Sequence, residues 1–259
     1  MSYIFVSQSG EQKMLLSQFV GFARAAVLGF VLLGASQACA GDLADFNAAV
    51  EKVSGHNRVA IGYLRTGNTD LASIELDRLR DAWAALSERF AGKRPDAFDG
   101  NPVYGKMLVD ISTRLVTADM MLTSGRAEPA SQALNGIRDD LYELRKSSGI
   151  VVLADCVRDA NQVADAIMQF NKNDLDWTKS STRFGIANKA SIYGYVLDRC
   201  DGIASATVHN SPEFRRLVDG ARAGLELIPK AIATRDTNLL HRILIELRSF
   251  DNLLAFRFG

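Results

Sequence analysis

The sequence predicts an all-α protein: two tandem up-down four-helix units behind a cleaved signal peptide. Three observations predict it. Residues 127–146 (AEPASQALNGIRDDLYELRK) place Ala130, Leu134, Ile137, Leu141 and Leu144 at alternating spacings of four and three, the seam of an amphipathic helix in a bundle. The same rhythm recurs earlier at Ala72, Leu76, Leu79, Trp83 and Leu86, and near the C-terminus at Leu240, Leu244, Leu247 and Leu254. No segment shows sustained period-two alternation with β-branched enrichment, so no strand is expected.

The N-terminus bounds the folded part. Lys13 and Arg24 precede or flank an apolar run, residues 25–35 (AAVLGFVLLGA), and Ala38-Cys39-Ala40 supplies small residues before Gly41. Basic flank, short apolar run and small-residue site together read as a signal peptide over residues 1–40. The run is too short for a secure membrane span. Met14 is an alternative start, and a lipoprotein reading would anchor the chain at Cys39 in place of releasing it. The expected domains are 41–147 and 148–259. The 259 residues, 47% of them hydrophobic, suffice for one large or two small cores. Thirty basic against thirty acidic residues give no electrostatic footprint for nucleic acid or for an anionic membrane.

Taken in order, the first helix runs over about 42–65, with Leu43, Phe46, Val50, Val53, Asn57, Ala60 and Leu64 on its seam. Asn57 is the polar residue in that seam, a type that often sets register. Gly67 suits a left-handed C-cap, and Thr69 is placed to cap the second helix, which ends near Phe90. Two prolines and Asp99-Gly100-Asn101 mark a loop over 93–102. The third helix, about 103–123, carries Leu108, Ile111, Leu115, Ala118 and Leu122, and Ser124-Gly125 closes it. Pro129 fits the first turn of the fourth. Ser147-Ser148-Gly149 separates the halves. The fifth helix, about 150–170, carries Leu153, Cys156, Ala160, Val163, Ile167 and Phe170. The sixth carries Ile186, Ala190, Tyr193, Leu197, Cys200 and Ala204. Ser211-Pro212 opens the seventh, which Pro229 must kink or end. The eighth runs over about 237–258. In its seam Asp251 stands where Trp83 and Leu141 stand in the other copies. An Asp251 without a partner would make Asp251→Leu stabilising.

Cys156 and Cys200 fall on the seams of consecutive helices, about equally far from the loop between them. An antiparallel pair would bring them level, and an oxidising compartment would join them; two reduced, buried cysteines are the plainer alternative. Arg80, Arg138 and Arg248 share a place beside the seam. They are either an anion site or, as a repeated architectural position suggests, ion-pair formers, with Asp110 and Asp119 as possible partners. His56, His209 and His241 lie far apart and lack the i+3 or i+4 partner of a helical metal site. Met107, Met120, Met121 and Met168 read as packing residues. Residues 171–182 look like a calcium loop, but Asp176 and Thr182 occupy the places that need Gly and Glu. Asp174 and Asp176 beside Trp177 remain a polar spot. No phosphate loop, nucleophile elbow or dinucleotide fingerprint occurs.

Residues 130–146 (ASQALNGIRDDLYELRK) resemble helices of periplasmic proteins that accompany c-type cytochromes. The tandem bundle behind a leader resembles exported four-helix bundles of the cytochrome c-prime type. The resemblance implies architecture alone, because the C-x-x-C-H haem motif is absent and no haem ligand carries over. No cofactor is therefore expected. The expected function is that of a non-enzymatic, periplasmic or secreted protein binding a partner protein or small ligand in a crevice between its halves, without nucleic acid and without stable membrane insertion. The alternative is a metal- or cofactor-binding redox accessory. Processing offers the first test: the intact mass of the exported protein should match a chain beginning at Gly41, whereas a mass carrying lipid on Cys39 would refute cleavage at Ala40.

Overall fold

A computed structural model describes residues 41–259, and the leader expected over 1–40 lies outside the described residues. Among the described residues every regular element is helical. They comprise α1 (41–65), α2 (Thr69–Phe90), a 3-10 turn (Asp96–Phe98), α3 (Pro102–Thr123), α4 (Ala127–Ser147), α5 (Leu153–Met168), α6 (Ser180–Ile203), α7 (Ala206–His209), α8 (Pro212–Glu226), α9 (Ile228–Thr234) and α10 (Thr237–Phe258). No described helix is long and apolar enough to cross a membrane.

The chain divides into two compact units, and the division falls between Leu134 and Asn135, inside α4. The sequence placed it after Ser147. The turn at Ser147-Ser148-Gly149 does end a helix, but the α4 seam serves both units: Ala130 and Leu134 lie before the division, Ile137, Leu141 and Leu144 after it, and all five are buried. A turn marks where a helix stops, not where contacts divide.

In the N-terminal unit, the buried faces of α1 and α2 are those of the 3–4 rhythm. Phe46 packs edge-on against Phe90 and Phe98, their ring centroids 5.3 and 5.1 Å away, and the Tyr104 hydroxyl donates to the Phe90 carbonyl at 2.8 Å. In α3 the buried residues are Tyr104, Met107, Ile111, Leu115 and Ala118, so Met107 takes the core place assigned above to Leu108. Asn57 is buried and donates to the Leu134 carbonyl at 3.1 Å, joining α1 to the start of α4. Gly67 and Gly125 sit in the left-handed region, at φ 78° and 70°. Each lets the next residue's N–H reach back into the helix, Asn68 to Tyr63 and Arg126 to Met121, which satisfies the last free carbonyls. Thr69 is not the cap of α2. Asn68 holds that place, and its side-chain amide donates to the Thr66 hydroxyl instead of capping the helix.

In the C-terminal unit, α6 packs along α5, α10 packs along both α5 and α8, and α9 packs on α6 and α10. The α8–α10 approach is close because α8 offers glycine. The Phe250 ring lies over Gly220, where an added Cβ would clash, and Leu247 lies over Gly224. Cys156 and Cys200 are joined as a disulfide, with Cα atoms 5.4 Å apart, between α5 and α6. The expected seventh helix is two. The chain breaks at Leu227, and Pro229 stands in the first turn of α9, where its missing N–H is harmless. The short α7 was also not foreseen. The C-terminal unit is thus more divided than four plain helices.

Leu141 lies on the most regular seam and is fully enclosed. Leu141→Ala should cost roughly 2–5 kcal/mol in a urea titration. A cost below about 1 kcal/mol would mean that the α4 seam does not carry the core.

Candidate functional site

Two features of the C-terminal unit stand apart from ordinary helix packing: a buried polar cluster and an open groove.

The cluster gathers two of the three arginines singled out in the sequence. Arg138 of α4 donates to the Asn161 side-chain oxygen of α5 at 3.2 Å and to the Ala154 carbonyl at 3.5 Å. The Asn161 amide in turn donates to Asp251 of α10 at 2.8 Å. Arg248, one turn before Asp251, reaches it at 3.4 Å but holds Asp165 of α5 more closely, at 2.7 Å. Asp251 is only 1% exposed. Burial pushes its carboxyl up to about 6, against the pull of Asn161, Arg248 and Arg138 and with the added push of Asp165. The Tyr193 hydroxyl of α6 is buried beside it without a well-directed hydrogen bond. Burial first, and then the Asp251 charge, push that phenol upward. The idea of Asp251 as a seam residue without a partner is therefore corrected: it accepts from α5 and from its own helix. The third arginine, Arg80, belongs to the N-terminal unit. It lies 3.5 Å from Asp119 and 3.7 Å from Asp77, an exposed pairing, while Asp110 pairs with Lys106. The repeated arginine position thus ends in three different settings, each with acceptors on neighbouring turns or helices.

A second buried charge pair was missed in the sequence. Arg145, at the end of α4, donates twice to Asp155, in the first turn of α5, at 2.7 and 2.5 Å, and both side chains are less than a tenth exposed. The bidentate fork satisfies both partners and clamps the α4–α5 elbow beside Cys156. A polar pair flanking a Gly turn was the one available signal for it.

The other predicted positions separate. His56 meets Glu75 at 2.9 Å and His209 meets Asp201 at 2.8 Å, the latter carboxylate also held by Arg215 and Arg222. Those arginine hydrogen bonds and charges keep Asp201 below its ordinary range despite burial. Asp176 accepts from the Thr178 hydroxyl and backbone N–H, a local turn, and the Trp177 indole donates to Thr237 at 2.8 Å. The polar spot near Trp177 thus ties a loop to α10. Among the described residues, no group of three His, Cys, Asp or Glu is gathered as metal ligands would be.

The groove lies between α6, α8 and α9 and encloses about 550 Å³. Ala187, Ala190, Ser191 and Gly194 form the α6 wall; Leu225, Ile228, Pro229, Ile232 and Ala233 form the other. The small α6 side chains leave the volume open, and the break before Pro229 sets the facing wall. Glu226, at the end of α8, is the charged lining residue. Comparison with protein families, with curated proteins and with solved structures finds no match to this chain.

Asp251→Leu would remove the acceptor of Asn161 and leave Tyr193 facing a methyl group. With the carboxyl protonated, near pH 4.5, it should therefore destabilise by about 1–3 kcal/mol. Chemical denaturation measures this, and a gain in stability would show that the cluster contributes no net hydrogen bonding.

Proposed function

We propose that this chain is an exported, non-enzymatic helical-bundle protein that binds a small, mainly apolar ligand in the groove between α6, α8 and α9. The observation that carries the reading is the groove itself. Its volume lies within the range typical of small-molecule sites, about 300–1,000 Å³, and its lining is almost wholly aliphatic. Ser191 and Glu226 are the polar exceptions. Glu226 stands where the helix-terminal carbonyls of α8 also present negative charge, so an apolar body with a cationic or hydrogen-bond-donating end suits the site. The leader and the Cys156–Cys200 bridge support export to the periplasm or beyond.

Ser191 is exposed at the groove, so Ser191→Trp fills the volume without entering the core. An uncharged naphthylamine dye titrated into the full mature chain should bind saturably, and Ser191→Trp, with unchanged helical circular dichroism, should weaken it at least about tenfold. Binding that never saturates, or that ignores the tryptophan, would overturn the proposal.

A further inference from the structure

Asp251 occupies a position that repeats elsewhere as Trp83 and Leu141, yet here a carboxyl group is enclosed at the meeting of four helices. The charged and titratable groups facing it are few. From α4 comes Arg138, one residue removed through Asn161; from α5, Asp165; from α6, Tyr193; from α10 itself, Arg248. On α8 the contact with α10 is made through Gly220 against Phe250 and Gly224 against Leu247. The nearest cation is shared unequally. Arg248 lies 2.7 Å from Asp165 and 3.4 Å from Asp251, so the exposed carboxylate holds it and the buried one receives the weaker contact. The direct short contact to Asp251 is the neutral amide of Asn161. An ionised carboxylate is thus poorly compensated, and a phenol beside it lacks a directed partner.

We propose that Asp251 is a proton-operated latch, taking a proton from solvent as the C-terminal unit folds and holding α10 to α5 and α6 most firmly when neutral. Protonated, Asp251 keeps one oxygen to accept from Asn161 and offers a hydroxyl to Tyr193. Its folded-state affinity for the proton, raised to about 6 from 3.8, fixes the sign. The folded state binds the proton more tightly than the unfolded chain, so this group stabilises as pH falls through about 6, is fully effective below about 4, and loses that contribution as pH rises. Glu75 and Asp201, both lowered by their cationic partners, act in the opposite direction at more acid pH, so a comparison of variants is needed to isolate the latch.

The test is urea unfolding of the full mature chain, wild type and Asp251→Asn, at pH 7.5 and pH 4.5. The folding equilibrium constant of the wild type, relative to Asp251→Asn, should rise about 30-fold between the two, the linkage expected for that displacement. Parallel behaviour of the two proteins overturns the latch. Side-chain carboxyl NMR of Asp251 in the folded wild type decides the matter even if Asp251→Asn fails to fold. A titration midpoint near 6 supports the latch; one near the ordinary carboxylate value, about 4, overturns it.

Discussion

The bond between Cys156 and Cys200 is the constraint on which the C-terminal unit depends. It fixes α5 against α6 at one level, the sulfurs being carried by residues in the buried face of each helix. Everything notable in this unit is then referred to that pair. Helix α10 packs along α5, and the face of α6 away from α5 forms one wall of the groove. Asn161 of α5 and Tyr193 of α6 flank Asp251 because the two helices are held in this register. The Arg145–Asp155 fork adds a second tie one residue before Cys156, where α4 turns into α5. For a loop of 44 residues the chain-entropy model gives a disulfide a contribution of about 4 kcal/mol, a large share of the stability of a typical domain.

The same architecture separates packing from polarity. Most seam positions are filled by Leu, Ile, Ala, Val and Phe, as burial demands. Three buried polar side chains have directed partners: Asn57 on the Leu134 carbonyl, Asp155 on Arg145, Asp251 on Asn161. Such groups cost stability when left alone and specify register when paired. The groove belongs to the opposite category. It exists because α6 lacks bulk at Ala187, Ala190, Ser191 and Gly194, while the chain breaks at Leu227 and α9 starts anew at Ile228.

Helix positions were legible because amphipathic spacing is a property of each segment alone: α2 and α10 lie within a residue or two of where the seam and turns indicate, although the cap of α2 is Asn68 and not Thr69. The cysteine pair was legible because loop length and antiparallel geometry place two residues level without further information. Arg145 and Asp155 were not, since burial of a charge depends on neighbours that the spacing of one helix does not reveal. Asp251 was noticed as an anomaly, but its closest partner, Asn161, lies on α5, remote in sequence. The groove was invisible for a simpler reason: it is a lack of side-chain volume between three helices, and no motif encodes a lack. The break within the C-terminal helices was half legible, because Pro229 announced an interruption without showing that a new helix starts there.

The central claim is that the C-terminal unit is tied between α5 and α6 by Cys156 and Cys200, as the proposed export of the chain requires. The most direct measurement is thiol labelling of the mature protein, taken from outside the cytoplasm and denatured without reductant. The account predicts no label on Cys156 or Cys200 until reductant is added, and then label on both. Two freely labelled thiols in the unreduced protein would contradict it.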